Sequence, residues 1–569
     1  MERKALGSTI LFCCLFCLQS AAQQIEEMIK AKPVSFSGSF DATAIFYSAD
    51  GIPNRYLPFN YVITGAPVLK LYNIDIPFSF IIGKQQSSFT QPFNQFGLSP
   101  SYKWITVHAG YRNLNWSNFT LGGHTFLGAA IELNPGKFRL GAMYGQLNKA
   151  TALDTAQSMY FSNFNYKRTG MAVRVGYGTE RSFFDIIALK AKDDELSLKG
   201  LHKGMADSLG VAPAENIVTG YNMRIDLWKN RLTFESDGAF SLYTNNIHSP
   251  KIEDSAYEDD IKKISRIVKV NTSSELYGAI QASVKYKSKY FSVRLQYRHI
   301  DPGYQSMGAY FLNNDLENYT IAPSFVLWKN KLRFSGSLGF QRDDLNGNKR
   351  AKSNKVIGSA NLSADLDQHF GIDLGFSNYS VSQQVKTIRF ADSLRLVQSS
   401  RQLSAMPRYN FTTGNLLHNI TLAANLSSAK ELNPAREDQP NADINTSNYM
   451  LTWQTNFMTA AASAYISFNH TEMRSDVLKD ANHGVTIGGT KSWMGNKLNL
   501  SVSTGFLLSK RNEEKGKILT GLLMGRYQFY GPHYFRITGF YTGNQPDNPS
   551  VVYPRFNEWR GEAGYGFSF

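Results

Sequence analysis

The chain has 569 residues, a formal net charge of +15, 13% aromatic residues and 45 Gly, yet its mean hydropathy is only -0.30. Beyond the N-terminal apolar run there is no stretch of about 18 apolar residues, which excludes a membrane helix. After residue 34 there is no Pro- or Ser-rich linker and no shift in composition, which argues against the several domains a soluble all-β chain of this length would need. Strands that face lipid on one side and water on the other average to neutral hydropathy, so one large barrel is the simpler account.

At the N-terminus, Arg3 and Lys4 precede an apolar run from Ala5 to Leu18, followed by Ser20-Ala21-Ala22. This pattern predicts a signal peptide over 1–22 with cleavage before Gln23. A lipoprotein signal would need a small residue before its cysteine, whereas Cys13, Cys14 and Cys17 follow Phe12, Cys13 and Phe16. All three cysteines leave with the signal, so neither a disulfide nor a thiolate metal site is expected. Residues 23–33 read as a periplasmic lead-in, with Ile25, Met28 and Ile29 at helical spacing. That is too short for the plug of an energised receptor, which runs to ~100 residues in a 22-stranded lumen.

The barrel is expected over 34–569. Strands near 34–47, 57–65 and 71–84 open it. From about Gly123 to the end, short connections alternate with long polar ones without a slip. The short ones lie near Asn134-Pro135-Gly136, Lys229-Asn230, Lys329-Asn330, Gly414-Asn415, Gly495-Asn496 and Gly531-Pro532. Barrels of this kind have short periplasmic turns and long external loops, so the alternation predicts 21 strands after 123 and 24 in all. Residues 85–122 are left over. They form either one more hairpin, giving 26 strands, or a long external loop folded into the lumen. Their rings need a wall to bury against, which favours an inward constriction with Phe93, Phe96, Tyr102 and Trp104.

Three stretches, 221–242, 319–340 and 484–506, repeat one hairpin: a strand, a Trp at its end, a tight Asn-bearing turn and a returning strand. Trp228, Trp328 and Trp493 sit where an interfacial girdle requires them.

Strand periodicity assigns the inward side chains. Arg139, Arg174, Arg224, Arg294, Arg298, Arg333, Arg526 and Arg536 all oppose an apolar face, as do the acids Asp185, Asp226, Glu235, Asp237, Asp373 and Glu562. A charge on the lipid face costs about 2–4 kcal/mol at midplane, so inward is the secure assignment. The arginines could favour anions by focusing positive potential in a water-filled pore. They could equally brace the wall by pairing with Asp226, Glu235 and Asp237, and bracing is the stronger expectation.

There is no G-x-S-x-G, no H-E-x-x-H and no His pair at metal-ligand spacing. Asp343-Asp344-Leu345-Asn346-Gly347-Asn348 is half a calcium loop without its distal Glu. No catalytic residue, metal or cofactor is therefore expected, nor is a nucleic-acid partner.

The last strand, Trp559 to Phe569, alternates Trp559, Gly561, Ala563, Tyr565, Phe567 and Phe569 with Arg560, Glu562, Gly564, Gly566 and Ser568. With its aromatic C-terminal residue it resembles the final strand of bacterial outer-membrane β-barrels. In that family the strand is also the signal read by the insertion machinery, which here would be Tyr565, Phe567 and Phe569. Pro92-Phe93-Asn94-Gln95-Phe96-Gly97-Leu98-Ser99-Pro100, Tyr102-Lys103-Trp104 and Glu132-Leu133-Asn134-Pro135-Gly136 are similar to outer-membrane proteins of Bacteroidota that carry no known activity. The resemblances imply an integral protein in the outer membrane of a Gram-negative bacterium, in contact with its lipid and lipopolysaccharide. The expected function is a channel or transport barrel for polar solutes, with anions as one class. The alternative is a structural or translocon subunit working with a periplasmic or surface lipoprotein.

Overall fold

The computed structural model describes residues 34–72, 74–83, 95–150, 165–198, 212–252, 269–309, 313–347, 354–383, 396–431, 443–551 and 553–569. The signal peptide and lead-in expected at 1–33 lie outside them. Among the described residues there are 29 strand segments and no helix, and every strand pairing is antiparallel. The sheet closes on itself: Ser39–Asp50 pairs with Phe556–Ser568, in register from Ser39 opposite Ser568 to Asp50 opposite Asn557.

Three pairs of segments are single wall strands with a kink. Val34–Ser37 continues into Ser39–Asp50, Phe59–Gly65 into Val68–Leu71, and Gln95–Leu98 into Ser101–Tyr102. Merging each pair leaves a closed barrel of 26 strands. Proline supplies two of the kinks, Pro67 and Pro100, because it has no N–H to give the ladder. Gly38 supplies the third, at φ +139°, and a Cβ there would lie 2.5 Å from the Ala66 carbonyl oxygen.

Gly38 also carries the seam, exchanging backbone hydrogen bonds with Phe569 at 2.9 and 3.0 Å. Gly38→Val should therefore abolish the folded, heat-modifiable band on unheated gels. Its left-handed φ alone costs about 1–3 kcal/mol, and its side chain meets backbone. A normal mobility shift would show that the seam tolerates a Cβ.

The two additional wall strands correct the expected count of 24. They are Gln95–Leu98 with Ser101–Tyr102, and Ile105–Asn113, which pairs with Thr125–Leu133 from Ile105 opposite Leu133 to Asn113 opposite Thr125. The 26-strand alternative is the observed one.

The wall separates two environments by strict alternation. On Arg168–Gly178, Met171, Val173, Val175 and Tyr177 are exposed outward, whereas Ala172 and Arg174 are buried inward. The turns of the repeated hairpins share one geometry. Trp228, Lys229 and Asn230 all have positive φ (51°, 57°, 66°), as do Trp328, Lys329 and Asn330 (50°, 55°, 73°) and Met494, Gly495 and Asn496 (54°, 64°, 68°). Asn tolerates that region best of the non-glycine residues. The turn leaves the Trp228 and Trp328 rings exposed on the short-turn rim. At the opposite end, Glu317 on the outward face is held by the Tyr297 and Tyr319 hydroxyls and by Arg342. An apolar band therefore runs between two polar or aromatic rims.

Candidate functional site in the lumen

The buried core of this molecule lies inside the barrel. Residues 114–124 leave Ile105–Asn113 at the long-connection end, turn into the lumen, and return as Thr125–Leu133. Phe119, Thr120 and Leu121 are wholly buried, with Leu114 and Trp116 nearly so. They pack with Tyr304 and Met307 of a second connection against Met143, Ile187, Leu189 and Val218 on the inner wall. The arc they cover runs over eight strands, from Thr125–Leu133 to Phe291–Ile300.

Polar contacts fix this inserted loop. The Ser117 hydroxyl donates to Asp237 Oδ1 at 2.7 Å and the Asn118 amide to Oδ2 at 2.8 Å. Asn222 donates to the Trp116 carbonyl at 2.9 Å, and Trp116 Nε1 to Glu132 Oε1 at 2.9 Å. The Trp116 ring lies where a side chain on Gly141 would be, 2.6 Å from its ideal Cβ, so only glycine leaves room for it. From the other connection, Tyr304 donates to the Phe119 carbonyl at 2.9 Å and Ser306 to that of Thr120 at 2.7 Å. The Tyr304 ring meets Phe119 edge-on at 6.1 Å. Burial, with the charge of Asp237 nearby, pushes the Tyr304 phenol up, so it stays a donor. Burial lowers the pKa of His124, at the end of the loop, and leaves it neutral at pH 7. Its Nδ1–H then donates to the Thr125 carbonyl at 2.9 Å.

Six of the eight predicted arginines meet a carboxylate. Arg139 forks onto the fully buried Asp185 at 2.8 and 2.9 Å. Arg174 pairs with Glu132 at 3.0 Å and lies over Trp116. Arg224 reaches Glu235 at 3.1 Å and Asp226 at 3.4 Å, and Arg294 also pairs with Glu235. Arg333 meets Asp365 at 3.1 Å, and Arg536 meets Asp41 across the seam at 2.6 Å. Arg526 instead stacks over Tyr534. Arg298 lies over Phe119, and its buried Nε has no hydrogen-bond partner among the described residues. Of the acids, Asp373 meets Arg408 and Glu562 meets Arg560 at 2.6 Å, while Asp237 serves the inserted loop.

Glu132, Asn222 and Tyr304 are site residues the sequence reading did not single out, and it reached the inserted loop only as the end of the 85–122 stretch. Of the constriction residues it did single out, Phe96, Tyr102 and Trp104 belong to the wall and its turn. Phe96 is exposed on Gln95–Leu98, its ring edge-on to Tyr111 at 5.9 Å. Tyr102 ends the adjoining segment, and the exposed Trp104 sits in the following turn. Phe96 and Trp104 are thus exposed on a wall hairpin rather than packed inside the lumen. Phe93 lies outside the described residues.

Among the described residues, no other inserted segment covers the rest of the lumen. Over ten consecutive strands, from Leu332–Arg342 to Glu514–Tyr530, inward charges gather only at the two ends. Arg333 and Arg408 share Asp365 near the short turns, and Arg511 forks onto Asp480 near the long ones. Between them the register lines up Asn361, Gly375, Ser404, Asn425, Asn448, Thr471 and Asn482 in one inward row. A second row holds Thr421, Thr452, Ser467 and Thr486. Neighbours hydrogen-bond each other: Asn448 donates to Thr471 at 2.7 Å, Thr452 and Ser467 lie 2.7 Å apart, and Asn469 donates to Thr486 at 3.0 Å. A concavity of about 550 Å³ opens here, lined in part by Ser335, Asn361, Ser404 and Asn425 and, toward the short turns, by Arg333 and Asp373. Among the described residues no three His, Cys, Asp or Glu side chains come together to hold a metal ion.

No family model matches the chain, and no curated protein matches it. Solved structures do. The FrpB iron transporter of Neisseria meningitidis (F5-1 variant) is 9% identical with a TM-score of 0.39, over 95% of this chain and 83% of that one. The P pilus usher (PapC) translocation pore is 9% identical with a TM-score of 0.38, over 94% and 99%. OccK8 (OprE) of Pseudomonas aeruginosa is 8% identical with a TM-score of 0.31, over 71% and 98%. At such identities and scores, no function passes from these proteins to this chain.

Proposed function

We propose that the protein is an integral outer-membrane barrel of a Gram-negative bacterium that conducts polar solutes, and uncharged ones in preference to anions. The observation that carries this reading is the charge-free middle of the inward surface over those ten strands, whose charged side chains lie only near its two ends. Its amides and hydroxyls can exchange hydrogen bonds with a passing hydrated solute at little desolvation cost. Six of the eight arginines that would attract anions spend their charge on carboxylates of the same wall, which cancels most of their long-range field, while Arg298 and Arg526 lie over aromatic rings. The outward apolar band and its two rims support the membrane setting.

Planar-bilayer recording of the purified protein tests this. Stable channels with a reversal potential close to zero in a KCl gradient are expected, with current noise that increases when neutral polyols are added. A strongly anion-selective channel would overturn the preference for uncharged solutes. Silence in the bilayer would favour the alternative, a barrel that opens only with an export partner. In the same setting, a cysteine at Lys251, in a long connection, should react with an impermeant maleimide on intact cells. One at Asn230, in a short turn, should not.

A further inference from the structure

Inward and outward faces can be carried around the wall through the hydrogen-bonded register. The inward-facing Gln402 is opposite Ser427, Ser427 opposite Thr446 and Thr446 opposite Met473. The residues between them, Arg401, Ser428, Asn445 and Arg474, therefore face outward. They form one row across four strands, at the long-connection end of each. The next outward positions into the band are Leu403, Leu426, Ser447 and Glu472, with Phe376 opposite Leu403. Phe376, Leu403 and Leu426 are all well exposed. Together these residues enclose a concavity of about 530 Å³ on the outside of the barrel.

Its chemistry is divided along the membrane normal. The floor is apolar and belongs to the lipid-facing band. The rim, at the level where the band ends, holds two guanidinium groups and the hydrogen-bonding side chains of Ser428 and Asn445. Arg474 grips Glu472 through Nε and Nη2, at 2.7 and 2.8 Å, which fixes the fork and leaves Nη1 outside that pair. Lys479, next in the outward row, lies 3.9 Å from the same carboxylate. Three cations thus face one anion.

From this arrangement we infer that the outward concavity binds one phosphorylated lipid of the surrounding membrane. An acyl chain lies on Phe376, Leu403 and Leu426, and the phosphate sits between Arg401 and Arg474. A free anion would leave the apolar floor unused, and a neutral lipid would make no use of Arg401 or of the Nη1 edge that Arg474 leaves outside its pair with Glu472. The site is independent of the lumen and of any conduction through it.

Native mass spectrometry of the intact detergent-solubilised barrel tests the assignment, with dioleoyl phosphatidic acid, dioleoylglycerol and inorganic phosphate as probes. One phosphatidic acid per barrel should be retained. Dioleoylglycerol should bind about tenfold more weakly or worse, and millimolar inorganic phosphate should not displace the lipid. The double substitution Arg401→Gln with Arg474→Gln should lower phosphatidic acid affinity about tenfold or more, as expected for two charge-assisted hydrogen bonds. Leu403→Ser should lower it while leaving folding intact, with heat-modifiable mobility as the control for both. Equal retention by the arginine variant, equal binding of dioleoylglycerol, or displacement by inorganic phosphate would each overturn the proposal.

Discussion

Replacing residues 114–124 by Asn-Gly should raise single-channel conductance by about a factor of two or more, while the barrel still inserts. Asn113 and Thr125 are directly opposite each other in the ladder, and a two-residue Asn-Gly turn joins such partners without disturbing either strand. The deletion removes Trp116, Phe119 and Leu121 from the lumen but leaves all 26 wall strands paired. The groups it uncovers can be hydrated: Asp237 and Asn222 would face water, and Arg174 would keep Glu132. The connection carrying Tyr304 would lose its two acceptors, the Phe119 and Thr120 carbonyls, and with them its reason to lie across the lumen. Asp237→Leu is the milder version. It strands the Ser117 hydroxyl and the Asn118 amide, so it should produce flickering between the parental and the larger conductance. Parental conductance in the deletion variant would show that the inserted loop does not lie on the conduction path.

The same experiment marks where the sequence was legible. The alternation of short and long connections gave the 21 strands after Gly123 because each hairpin is local. The wall before it was harder to read. Gln95–Leu98 has only four residues and is followed by Pro100, so it carries little periodicity. Ile105–Asn113 did carry the signal, with Ile105, Val107, Ala109 and Tyr111 alternating against Thr106, His108, Gly110 and Arg112. It was masked by the polar aromatic stretches on both sides. An inward fold was expected from the surplus of rings, and one exists. It is built from 114–124 rather than from Phe96, Tyr102 and Trp104.

The lumen was only half legible. Which side chains face inward follows from period two, because a one-residue slip would put every charge in lipid. Which acid meets which arginine does not follow. Arg536 finds Asp41 only because the sheet closes on itself, 495 residues away in sequence. The partnership of Phe119 with Tyr304 likewise depends on two connections 185 residues apart meeting inside the barrel. The charge-free rows are the reverse case. Each strand shows its Ser, Thr and Asn plainly, but only the register aligns them across the wall.

Phe569→Ala should lower the amount of protein in the outer membrane several-fold, with much smaller effect on the barrels that do form. The C-terminal ring stacks on Phe36 at 4.4 Å and touches Phe567 at 5.1 Å. Losing such pairs costs about 0.5–1.5 kcal/mol each beyond lost burial. The backbone of Phe569 would keep its two hydrogen bonds to Gly38, and the thirteen-residue strand before it would keep both neighbours. A closed wall with every other strand paired can absorb a loss of that size. Assembly is a different matter, because the seam between the first and last strands must be made last. In the proposed setting, the insertion machinery meets that final strand while it is still unpaired, and Tyr565, Phe567 and Phe569 are the rings it would hold. Two measurements separate the effects. Urea titration of refolded protein should move little, while pulse-chase fractionation should show periplasmic degradation of newly exported chains. A large loss of refolded stability with normal surface levels would reverse the assignment, making Phe569 a clasp of the finished barrel rather than a handle for building it.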